Sequence, residues 1–134
     1  MSTAAIQGPG ILFVRSRISP TSKDTLTESK FLEWYDDEHI PEVVSTSGIR
    51  SAFRYVDANK TSPMGNSQNM KPFLAFYPML DLVFTLSDEF KKIKVASSDL
   101  PGSGIIYDLA DMDVSYLGFL GATPRKEGKD RGGK

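Results

Sequence analysis

One histidine occurs in the 134 residues, His39, and it sits in the run Trp34-Tyr35-Asp36-Asp37-Glu38-His39-Ile40-Pro41. Imidazole is the side chain whose unperturbed pKa lies closest to neutrality, so a single copy facing a pocket can take or return a proton at physiological pH. Tyr35 stands one helical turn earlier on the same side, where a phenol can hold a substrate oxygen. Asp36, Asp37 and Glu38 read as a solvated acidic face, from which one carboxylate can orient the imidazole or raise its pKa. The rival reading makes His39 structural, hydrogen-bonded to a neighbouring carboxylate and stabilising a kink before Pro41. The absence of cysteine removes disulfides, thiolate metal sites and a thiol nucleophile together. Metal binding is left with one imidazole and carboxylates, and neither a metal nor a cofactor is expected. No serine elbow accompanies His39, and Gly102-Ser103-Gly104 lacks the lysine and strand-to-helix setting of a phosphate loop.

Hydrophobic periodicity gives the order of the elements that must carry these groups. Residues 11–18 are β-branched and aromatic up to Pro20 and read as a strand. Thr25, with Glu28 three positions on, matches a capping box and predicts a helix start. Down that helix Phe31, Tyr35 and His39 recur every four residues, with Leu32 beside them, and Pro41 predicts a kink or stop at 39–40 followed by a restart. Gly48 offers a C-terminal stop. A second strand is expected over 49–56, a long mobile connection with Pro63, Gly65 and Asn66 over 57–71, and a third strand over 73–77 ended by Pro78. Ser87 caps a second helix whose acidic start (Asp88, Glu89) and basic later turns (Lys91, Lys92, Lys94) suit the helix dipole. Residues 105–109 are extended or helical, and a last strand falls within 112–120. The order β-α-β-β-α-β predicts an α+β, ferredoxin-like domain over 1–122, its four-stranded antiparallel sheet covered on one face by both helices. The charged, glycine-rich tail 123–134 is expected to be disordered.

Both alternating sets of the strands are apolar: Ile11 and Phe13 against Leu12 and Val14, Phe73 and Ala75 against Leu74 and Phe76, and Met112, Val114 and Tyr116 against Leu117 and Phe119. Two helices cover one face only, so the other calls for a second copy of the chain, and a homodimer with facing sheets is expected. Phe13, Phe53, Tyr55 and Tyr77 read as walls of an apolar cavity suited to a planar ring or, equally, as plain core, with Phe31 on the helix stripe and Trp34 as packing or an edge of the pocket mouth. Arg50 and Arg54 are assigned to the opposite face or the rim. A formal net charge of -1 gives no footprint for nucleic acid or an acidic membrane. No run approaches the roughly 20 apolar residues of a membrane span, and a cytoplasmic location is expected.

The run Phe31-Leu32-Glu33-Trp34-Tyr35 through Glu38-His39-Ile40-Pro41, followed by Gly48-Ile49-Arg50-Ser51-Ala52-Phe53-Arg54-Tyr55, resembles the EthD-like branch of the dimeric α+β barrel superfamily. Ala75-Phe76-Tyr77, Asp81-Leu82 and Ser87-Asp88-Glu89-Phe90-Lys91 resemble its third strand and second helix. The resemblance spans about residues 11–120, leaving 97–106 unaligned. It implies a homodimeric barrel, a small-molecule cavity between sheet and helices, and a pocket role for His39. The chemistry then expected is cofactor-independent acid/base work on an aromatic, phenolic or polyketide-like metabolite: decarboxylation, cyclisation, dehydration or isomerisation, with a tyrosine steadying the oxyanion. Cofactor-free oxygenation of an anthrone-like phenol, a non-catalytic small-molecule-binding dimer, and haem binding through His39 stand as alternatives.

Overall fold

In the computed structural model, which describes residues 6–125, the first apolar run forms β1 (Gly10–Ile18), with every second side chain from Leu12 to Ile18 buried. The chain then makes a short 3-10 helix at Pro20–Ser22 and a turn closed by Leu26 N–H on the Ser22 carbonyl. That turn uses up Thr25, so helix α1 (Glu28–Trp34) starts two residues later than the capping-box pattern predicts. Thr27 is its N-cap, accepting from the Lys30 amide at 3.1 Å. Leu26 before the cap and Phe31 in the first turn hold the two positions of a hydrophobic staple, both in the core.

Pro41 does not break the helix. Ile40 keeps right-handed helical angles, and the chain passes through a π-helical turn at Tyr35–His39 into α2 (Ile40–Val44), with Ile40 N–H donating to the Tyr35 carbonyl five residues back. A wide turn moves the preceding carbonyls away from a pyrrolidine ring that an ordinary α-turn would press against them. Gly48 is not a left-handed helix stop, since it is absent from the positive-φ glycines. Its bare Cα instead admits the Phe84 ring, which an added Cβ would overlap.

The remaining strands are β2 (Phe53–Val56), β3 (Phe73–Met79) and β4 (Ala110–Gly118). All pairings are antiparallel, and the open sheet has the order β2-β3-β1-β4. Pro78 lies inside β3, where the sequence predicts its end. Pairing with β2 stops at Phe53–Phe76, so the missing N–H of Pro78 costs no ladder bond on that side. The 57–71 connection is tied down by its own polar groups: Asn66 Oδ1 accepts from the Gln68 and Asn69 amides, the Asn69 amide group donates to Asp57, and Lys60 and Lys71 pair with Glu28 and Asp113.

A 3-10 helix at Leu82–Leu86 precedes α3 (Asp88–Lys91), which Ser87 caps as expected by accepting from the Phe90 amide. The second helix lasts one turn only. Beyond it the Lys94 amide donates to the Glu42 carboxylate, Ala96 bridges Ile105, and a second single turn, α4 (Ile106–Leu109), leads into β4. Helical cover on that side of the sheet is therefore short.

Register fixes which side chains share a face. Leu12, Val14, Phe73, Ala75 and Tyr77 are buried beneath the helices with Phe31, Trp34, Tyr35 and Val43. Ile11, Phe13, Leu74, Phe76, Phe53, Tyr55 and Leu117 lie on the outer face, where Phe76 stacks between Phe53 and Tyr55 at 5.1 and 5.8 Å. Residues 126–134 of the tail expected to be disordered lie outside the described residues. Among the described residues no helix is long and apolar enough to cross a membrane.

Candidate functional site

The π-helical turn decides how the imidazole is presented. An α-helix sets residues five apart about 140° from each other around its axis. The wide turn brings them together, and Trp34 stacks on His39 with ring centres 4.7 Å apart and planes 13° from parallel. Tyr35 meets the same imidazole edge-on at 5.6 Å and Phe31 at 5.3 Å. Tyr35 is held from outside the helix as well: the Arg54 guanidinium lies 5.5 Å from its ring centre and is ion-paired with Asp36.

His39, Tyr35 and Tyr77 line one cavity of about 470 Å³ between the sheet and its cover, within the range of small-molecule sites. Its floor is Leu12, Val14, Met112, Val114 and Tyr116 of β1 and β4, and its roof includes Val43, Phe90, Ile93, Val95 and Tyr107. The cause is the one-turn α3. The inward side chains Val114 and Tyr116 of edge strand β4 have no helix pressed on them and stay more than two-fifths exposed. Among the described residues no carboxylate lines this space, and its lone cation is Lys91, which is exposed.

Burial governs the electrostatics. It pushes the His39 pKa down to about 4, so the imidazole is neutral at pH 7. No carboxylate raises it: Asp36 is turned to Arg54, and His39 Nδ1 is a buried atom without a hydrogen-bond partner. The Tyr35 hydroxyl is pushed up to about 12, chiefly by burial, with a hydrogen bond to Ser16 acting the other way. Burial likewise carries Tyr77 well above the ordinary phenol range, and its hydroxyl also lacks a partner.

Of the residues singled out in the sequence, the structure brings His39, Tyr35 and Tyr77 to the cavity. Phe31 is fully buried behind them, and Trp34 is a buried packing residue stacked on the imidazole, the packing alternative and not the pocket mouth. Phe13, Phe53 and Tyr55 do not line this cavity; they belong to the outer face. Arg54 moves the other way, to the inner face against Tyr35. The reason is parity: with both alternating sets apolar, a one-residue shift of register exchanges the faces and the pattern alone does not choose. Sequence reasoning missed Tyr107 and Tyr116. Tyr116 shares its alternation with Met112 and Val114, a usable signal once that set is known to face inward. Tyr107 sits in the segment that periodicity left unassigned.

No family model and no solved structure matches the chain. Among curated proteins it is similar to Core atranone cluster (CAC) protein 1 of Stachybotrys chlorohalonatus (strain IBT 40285), with 26% identity over 112 residues, 83% of this chain and 43% of that protein. The chain thus spans less than half the length of the curated relative it matches.

Proposed function

We propose that this chain is a cofactor-independent enzyme of secondary metabolism, a ferredoxin-like domain over residues 1–122 that pairs into a dimeric α+β barrel of the EthD-like kind. Its substrate is an aromatic, phenolic or polyketide-like metabolite, and His39 works as the acid/base that makes or quenches the enolate in a decarboxylation, cyclisation, dehydration or isomerisation. The observation that carries this reading is a half-buried, neutral imidazole beside two tyrosines in an apolar cavity of ligand size. A neutral imidazole serves as a base, and apolar surroundings strengthen a hydrogen bond to the developing oxyanion. The strand order β2-β3-β1-β4, the two sets of apolar side chains on the sheet and the likeness to an atranone-cluster protein support the reading.

Anthrone, whose methylene hydrogens are acidic and whose enolate is aromatic, is a suitable probe. In D₂O the protein should accelerate deuterium exchange at that methylene, followed by NMR. His39→Gln should lower the acceleration by about 10²- to 10⁴-fold, the ordinary worth of a positioned base. Undiminished exchange in a folded His39→Gln variant would falsify the acid/base role. The stacking of His39 on Trp34 favours one second reading, a non-catalytic binding dimer in which the imidazole is structural. In that case His39→Gln lowers stability and leaves exchange unchanged.

A further inference from the structure

Buried polar atoms in folded proteins are nearly always hydrogen-bonded, so the exceptions call for a cause. Among the described residues the buried side-chain atoms without a partner are His39 Nδ1 and the Tyr77 hydroxyl, and both residues line the same cavity. Thr85 Oγ1, which lines the same cavity, is by contrast satisfied, donating to the Leu82 carbonyl at 2.8 Å. Tyr77 is 1% exposed and set on the central strand β3, so its position is fixed by the sheet and not by a mobile surface loop. Tyr35, by contrast, sits on the helix with its ring clamped by Arg54, and its hydroxyl is not among the buried unpartnered atoms.

We infer that Tyr77 donates a hydrogen bond to the carbonyl-type oxygen of an uncharged, largely apolar ligand whose acidic hydrogen lies beside Nδ1 of His39. This rests on the cavity being the ligand site and deepens that reading. Two features exclude a charged occupant at the closed end. No guanidinium lines it to compensate an anion, since Arg54 on the Tyr35 ring is already paired with Asp36, and no carboxylate lines it to compensate a cation, while Lys91 is exposed to solvent. An unpaired charge so placed would forfeit its hydration without return. Neither orphan atom is open to a water-sized sphere in this arrangement. For a ligand to meet them the lining must give way, and Tyr107 and Tyr116 are half-exposed side chains of that lining.

In the step so arranged, the acidic C–H or O–H hydrogen passes as a proton to Nδ1. The electron pair left behind delocalises onto the carbonyl oxygen, which Tyr77 holds by its O–H. The imidazolium then returns the proton to carbon or oxygen of the rearranged product, and no oxidant or reductant is consumed. This favours cyclisation, dehydration or isomerisation of a neutral ketone over decarboxylation of a carboxylate.

The test uses 2-acetylnaphthalene, its isostere 2-ethylnaphthalene and the anion 2-naphthoate, titrated calorimetrically into the full chain, with infrared spectra of the bound ketone. The wild-type protein should bind the ketone about tenfold more tightly than the hydrocarbon, the difference one buried hydrogen bond makes. Naphthoate should bind weakest of the three. Tyr77→Phe should erase the ketone preference, leave the hydrocarbon affinity intact, and shift the bound carbonyl stretch back to its value in a non-bonding solvent. Equal affinities for ketone and hydrocarbon in the wild-type protein, tighter naphthoate, an unchanged preference in Tyr77→Phe, or failure of both neutral probes to bind each overturns the inference. Should Tyr77→Phe fail to fold, the wild-type affinities and carbonyl stretch decide alone. If His39→Gln retains anthrone exchange while the ketone preference depends on Tyr77, the acid/base reading falls and the assignment of Tyr77 stands. Loss of exchange without any ketone preference separates the two the other way.

Discussion

His39 gives up most of its hydration on folding and gains no charged partner, which ties its protonation to stability. Its folded pKa of about 4 lies below the 6.5 of an unperturbed imidazole, so below pH 6.5 the unfolded chain binds the extra proton more readily. The contribution of neutral His39 is therefore complete above pH 6.5 and is lost as pH falls toward 4, a total on the order of 3 kcal/mol. Urea unfolding at stepped pH should trace this decline, and His39→Phe should flatten it between pH 6.5 and 4. Two surface carboxylates, one half-buried and one exposed, titrate separately. Hydrogen bonds hold Asp57, chiefly through Asn69, and Glu89, through Ser47, below the usual carboxylate range, so what they contribute is present above that range and disappears at lower pH.

At the scale of elements, sequence periodicity was informative where one face is plainly apolar and silent where two are. Phe31, Tyr35 and His39 were legible as a stripe because side chains four apart share a helix face, which the wide turn leaves in place, and Ser87 was legible as a cap. The π-helical turn was not, since an inserted residue leaves no periodic signature, and with it went the stacking of Trp34 on His39. The faces of Phe53, Arg54 and Tyr55 were equally hidden, because only the pairing of Arg54 with Ala75 fixes them. Gly48 illustrates a different loss. It reads as a helix stop, yet its role is to let the Phe84 ring of the following 3-10 helix lie against the chain. Gly48→Ala should cost about 1–3 kcal/mol by overpacking, seen as a lower urea midpoint with an unchanged slope.

For the whole molecule, the decisive surface is the outer sheet face. Phe53, Tyr55 and Leu117 are each more than two-fifths exposed, and Phe76 stacks among them. A contiguous aromatic face of this kind suits a second copy of itself across a two-fold axis. Sedimentation equilibrium should give a particle of two chain masses. Phe76→Asp should shift it to one, because the carboxylate would be buried unpaired against the facing sheet. A wild-type chain that sediments at one chain mass across micromolar concentrations would remove the barrel from the proposal. The sequence pattern foresaw two apolar faces, but not that the inner one would be left partly bare at β4 by a one-turn helix, which is where the cavity comes from.

The contact between Trp34 and His39 has an optical consequence. Trp34 is the single tryptophan of the chain, so its emission reports on one place only. An imidazolium accepts an electron from an excited indole far more readily than a neutral imidazole does, and parallel rings in contact are well disposed for that transfer. The protein thus carries a built-in fluorophore and quencher, and acidification should dim it as the proton arrives.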